Sequence, residues 1–127
     1  MGRIVLMAFL ALILGCSTYS TRTRPETENV IRAPVDLVWD VTLSVLKAEN
    51  IEIKDVDESD LTLLGRRRLL WKWGDEVRVR LIPQGQARTL MHIEADVESG
   101  ITSGEDSEQL ARRIFSKVRY ASEMRAK

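Results

Sequence analysis

Two side chains that often do chemistry, histidine and cysteine, occur once each in this chain, as His92 and Cys16. A catalytic histidine needs a nucleophile, a carboxylate or a metal held beside it, and no recognisable motif supplies one to His92. One Cys and one His cannot build a zinc site. The carboxylates Asp55, Asp57, Glu58 and Asp60 cluster as calcium ligands do, yet they lack the glycine and the distal glutamate of an EF-hand loop, so a solvated turn is the better reading. Glu94, Asp96 and Glu98 share one face of a strand, with Arg78 and Arg80 expected opposite them. Facing charges of opposite sign support a sheet by roughly 0.2–1 kcal/mol each, which makes this ladder structural. There is no glycine-rich phosphate loop. The sequence therefore predicts no catalytic residue, no metal and no cofactor.

The patch with most to offer a ligand is Arg66, Arg67 and Arg68 with Trp71, Lys72 and Trp73. Arginine pairs with phosphate, and tryptophan settles where apolar and polar layers meet. The six residues are candidates for contact with an anionic ligand or a membrane. The competing reading is structural: the indoles cap the core, and the arginines guard a sheet edge against aggregation.

Cys16 closes a different pattern. A short positive start, Met1-Gly2-Arg3, precedes an uncharged apolar run over 4–14, then Gly15 and Cys16. Charge, apolar core and small residue make the layout of a secretory signal peptide. The run is too short for a bilayer core of about 30 Å, which needs roughly 20 residues. Ile13, Leu14, Gly15 and Cys16 resemble the lipobox of bacterial lipoproteins. That resemblance implies a diacylglycerol on the Cys16 sulfur, cleavage before Cys16 and an acyl chain on the new amino group. Multiple acyl chains anchor a protein stably where one holds it only marginally. Ser17, rather than Asp, follows the cysteine, which by the same resemblance implies the outer membrane. The alternative is ordinary cleavage after Ser17, with Gly15 and Ser17 as the small residues.

Removing 1–15 leaves 112 of the 127 residues, the size of one domain, with 18 basic side chains against 19 acidic ones. That balance argues against a nucleic-acid partner, which would call for a basic excess. Residues 16–29 are polar, carry Pro25 and read as a tether of at most about 40 Å. Residues 30–127 form the predicted domain.

Within it, 30–32 read as a short first strand. Ala33-Pro34 opens a helix over 35–49, with Pro34 suited to the first helical position. Its apolar stripe runs through Val38, Val41, Val45 and Ala48, flanked by Leu37, Trp39, Leu43 and Leu46, and Asn50 is a left-handed stop. Strand alternation begins at 51–54. A polar turn spans 55–60, and the next strand runs from 61 towards 70. Residues 71–75 read as a connection with partly buried aromatics. Alternation over 77–81 and 91–97, joined by the turn 83–86, predicts a hairpin with His92 on its polar side. A Gly- and Ser-rich loop over 99–104 leads to a helix with Leu110, Ala111, Ile114, Phe115, Val118 and Ala121 on one face. Residues 103–106 resemble a capping box. The resulting class is α+β: one small domain, a four- to five-stranded antiparallel sheet with two helices on one face, in the order β-α-β-β-β-β-α.

From residue 30 onward the chain resembles a bacterial domain family of unknown function found in envelope proteins. The likeness lies in Ala33-Pro34 ahead of Val38-Trp39, in Gly74-Asp75-Glu76-Val77-Arg78-Val79-Arg80, and in Asp106 ahead of Ala111-Arg112-Arg113-Ile114. Between the Asp and the Arg-Ile pair that family tends to place Gly and Asn, where this chain has Glu108 and Leu110. The layout is also similar to the helix-grip modules of outer-membrane assembly lipoproteins. These resemblances imply an envelope location and assign no reaction. The expectation is a non-catalytic module, held to the membrane by its N-terminal lipid and facing the periplasm, that binds or scaffolds an envelope protein or an anionic glycolipid. A carrier holding a lipidic ligand between helix and sheet is the alternative. An enzyme comes last, since no carboxylate pair is singled out by spacing.

Overall fold

The computed structural model describes residues 29–69, 72–97 and 106–127, with backbone only for Leu69, Lys72 and Trp73. The expected leader, most of the tether, Trp71 and the loop 98–105 lie outside the described residues. The elements are β1 (Val30–Ile31), α1 (Val35–Ala48), β2 (Ile51–Asp57), β3 (Thr62–Leu69), β4 (Lys72–Pro83), β5 (Thr89–Asp96) and α2 (Ser107–Arg125). All neighbouring strands are antiparallel, in the order β1-β5-β4-β3-β2. This is the α+β arrangement that the hydrophobic pattern predicts.

Alternation decides which side of the sheet is dry. Leu63, Val77, Val79, Leu81 and Met91 point one way and are at most 4% exposed. Register brings Leu63 opposite Val79, Val79 opposite Ile93, and Leu81 opposite Met91. Over them lie Val38, Val41 and Leu46 of α1 and Leu110, Ile114, Phe115 and Val118 of α2, all in one cluster. Each such side chain fully buried contributes roughly 1.5–3 kcal/mol, so a sheet face and two helix stripes that are unstable alone hold one another. Thr89, fully buried, donates its hydroxyl to the Ala33 carbonyl at 2.9 Å and pins the start of β5 to the turn before α1.

The helices depart from the sequence reading in register and in caps. On α1 the buried stripe is Val38, Val41, Thr42 and Leu46. Val45 is half-buried and Ala48 exposed. Thr42 goes inside because its hydroxyl donates to the Val38 carbonyl at 2.7 Å, so the polar atom is satisfied within the helix. Pro34 stands one place earlier than expected, as the N-cap, its carbonyl accepting from the Val38 amide. Asn50 does take a left-handed φ of 59°. On α2 the capping box begins at Asp106: its carboxylate accepts from the Gln109 amide at 2.7 Å, and the Gln109 side chain accepts from the Asp106 amide at 3.1 Å. A short Asp–Gln pair fills this role as Ser–Glu would.

The strands are longer than expected. β2 continues through Asp57, past a bulge between Ile53 and Asp55, into residues read as a turn. β4 begins at Lys72, so residues 72–75 are strand rather than connection. Gly74-Asp75 lies at a register shift in the β3–β4 ladder, between the Arg66–Glu76 and Arg68–Trp73 pairs, and Asp75, only 2% exposed, keeps the inward parity of Val77 and Val79.

Candidate functional site

The face of the sheet turned away from the helices is a grid of charges. Glu52, Arg66, Glu76 and Asp96 lie in one row across four strands. Asp55, Leu64, Arg78 and Glu94 form the next, and Asp57, Thr62, Arg80 and His92 the third. The second and third rows floor an open concavity of about 420 Å³. Its rim is part of the fold: the bulge after Ile53 shifts β2 so that Asp55 and Asp57 line one side. Of the two arginines expected to face the carboxylates of β5, Arg78 stands opposite Glu94, whereas Arg80 lies opposite His92 and Asp96 faces Glu76. Arg78 turns back along its own strand to Glu76, with Nε to Oε1 at 3.0 Å, and Arg66 reaches Glu76 at 3.7 Å. The grid contains more acid than base, most of all along β2.

Asp57 is held by its own turn. Its carboxylate accepts from the Ser59 hydroxyl at 2.6 Å and from the Asp60 and Ser59 amides at 3.2 and 3.0 Å. Those hydrogen bonds, the Ser59 hydroxyl foremost, keep it below its ordinary pKa of 3.8. The acidic run 55–60 therefore ends in a self-bonded turn. Among the described residues no three His, Cys, Asp or Glu side chains converge on a point that could hold a metal ion.

The arginine triplet is divided by the pleat. Arg66 belongs to the grid. Arg67 points to the helix side, where its guanidinium contacts Asp75 at 2.9 Å and Glu49 at 3.6 Å. Arg68 is exposed and stands opposite Trp73 in the β3–β4 register. Lys72 lies opposite Leu69 in the backbone ladder. The described residues thus place Arg66 and Arg67 on opposite sides of the sheet.

Arg67 belongs to an ion cluster that the sequence did not single out. Glu49, at the end of α1 and 10% exposed, accepts from Arg113 at 2.8 Å and from Lys117, both on α2. Burial raises the Glu49 pKa, but the hydrogen bonds and charges of Lys117 and Arg113 outweigh it and hold the group below 4.5. A carboxylate so engaged is a poor general base. The cluster joins the end of α1 to β3, β4 and α2 and reads as a structural clasp. One signal for it was available: Asp75 keeps the inward parity of Val77 and Val79.

No protein-family model matches the chain. No curated protein matches it either. Among the described residues no helix is long and apolar enough to cross a membrane.

Proposed function

We propose that this chain is a lipid-anchored protein of the bacterial envelope, attached through Cys16 and held at the outer membrane on its periplasmic side. Its folded module binds or scaffolds other envelope components and does no chemistry of its own. The anchor rests on the run 4–14 and on the resemblance of 13–16 to a lipobox. The binding role rests on one observation: a charged sheet face that neither described helix covers, with a 420 Å³ concavity rimmed by the bulged strand β2. Charged partners meeting such a grid gain specificity and register more than raw affinity. A polar envelope protein with a basic excess is the partner this face suits, because carboxylates outnumber arginines on it.

A photo-crosslinking amino acid placed at Thr62 or Arg80, and at Asp40 on the exposed side of α1 as control, tests the binding role in intact cells. The expected result is a discrete adduct from the sheet positions that is absent from Asp40. Sheet positions that yield no adduct, or the same adducts as Asp40, would count against it.

A further inference from the structure

The opposite charge collects along the edge where β1 meets α2. A concavity of about 340 Å³, lined in part by Asn29, Ile93, Arg112, Phe115 and Arg119, shares Arg119 with a second of about 270 Å³ that adds Arg32, Arg88 and Glu123. The Arg119 guanidinium lies 5.6 Å over the Phe115 ring, which fixes it across the junction of the two. Glu123 accepts from the Arg32 backbone amide at 3.0 Å, and Glu108 pairs with Arg112 at the surface. Four arginines thus stand along this edge with two carboxylates, a surplus of two positive charges, Arg112 being the one paired with Glu108. Asn29, the first described residue and the end of the expected tether, lines this same edge.

We infer that this edge is a membrane-docking surface that takes the phosphate headgroups of anionic phospholipids. The inference rests on the anchored reading above and adds an orientation to it. Guanidinium groups suit phosphate. An acyl chain on Cys16 keeps the edge within a tether's reach, at most about 40 Å of extended chain. With the edge on the bilayer, the acidic grid of the sheet is left for a protein partner. Charge alone favours this orientation, since the grid would be repelled by the same lipids.

The test uses the full chain, purified from membranes and placed in nanodiscs of phosphatidylcholine alone or mixed with phosphatidylglycerol. A fluorophore is attached at Ser116→Cys on the basic edge, or at Thr62→Cys on the sheet, and quenched by brominated lipid. The Ser116 label should be quenched strongly in phosphatidylglycerol discs and weakly in phosphatidylcholine discs or high salt, with the Thr62 label weak throughout. Each arginine near an anionic surface is worth roughly fivefold, so Arg112→Gln with Arg119→Gln should lower the docked-to-undocked ratio roughly 30-fold. Arg32→Gln with Arg88→Gln should do likewise without touching the Phe115 contact. Equal quenching of the two labels, or quenching indifferent to phosphatidylglycerol, would overturn the docking surface even in a chain that carries its acyl mass. A chain without acyl mass that still docks through Ser116 would instead refute the anchor and keep the surface.

Discussion

Glu49 carries its charge at the centre of an ion cluster between the helices and the sheet. It is nearly buried, accepts from Arg113 at 2.8 Å and from Lys117, and stands 3.6 Å from Arg67. Its folded pKa is held below 4.5, so the stability it contributes is present above that pH and is lost as pH falls through the lower folded value. Thermal melts of the full chain should show stability falling as pH drops below 4.5. In Glu49→Gln that acid step should shrink, and at neutral pH the variant should be less stable by roughly 1–3 kcal/mol, the usual result of breaking a buried charged hydrogen bond. A variant with the parent's acid profile would show that the clasp contributes nothing. Gly65 makes a second residue-scale case. A Cβ there would meet Ile51 Cγ2 at 2.5 Å, and Ile51 is a stiff, buried, branched side chain. Gly65→Ala should cost roughly 1–3 kcal/mol, read as a lower melting temperature, because overpacked cores must shift backbone or rotamers. An unchanged melting temperature would mean that β2 yields there freely.

At the scale of elements, the sequence was most legible where one hydrophobic period ran unbroken. The alternation of Val77, Val79 and Leu81 against Met91 and Ile93 foretold the β4–β5 pairing, and Asn50 marked the end of α1 at the correct residue. Legibility failed where a tertiary partner changed the meaning of a residue. Gly74-Asp75 looks like a break in isolation, yet β4 runs through it across a register shift, with Asp75 meeting Arg67 of β3. Thr42 looks polar and goes inside because the helix backbone accepts its hydroxyl. The acid run 55–60 looks like one turn, yet the bulge after Ile53 lets β2 use Asp55 and Asp57 as strand residues before the chain reverses. The arginine triplet shows the same limit for the candidate site. Three adjacent cations suggest one patch, and the pleat sends Arg66 and Arg67 to opposite sides. The ion cluster was hidden for a related reason: Glu49, Asp75 and Arg113 are far apart in the chain and meet only once the helices are laid on the sheet.

At the scale of the molecule, charge is sorted by surface. The open sheet face is weighted to acid, the β1–α2 edge to arginine, and the ends of the expected tether and of the basic edge coincide at Asn29. A balanced total charge conceals this separation. An anchored protein gains from such sorting, because one surface can rest on anionic lipid while the other is offered to a partner. The proposed envelope role rests on attachment through Cys16. The most direct measurement is labelling with radioactive palmitate, followed by fractionation, of cells expressing either the parent chain or Cys16→Ser. The account predicts label in the parent, which sediments with membranes, and a Cys16→Ser chain that is unlabelled and released from them. Label retained by Cys16→Ser, or a parent chain found unlabelled in the cytosol, would contradict it.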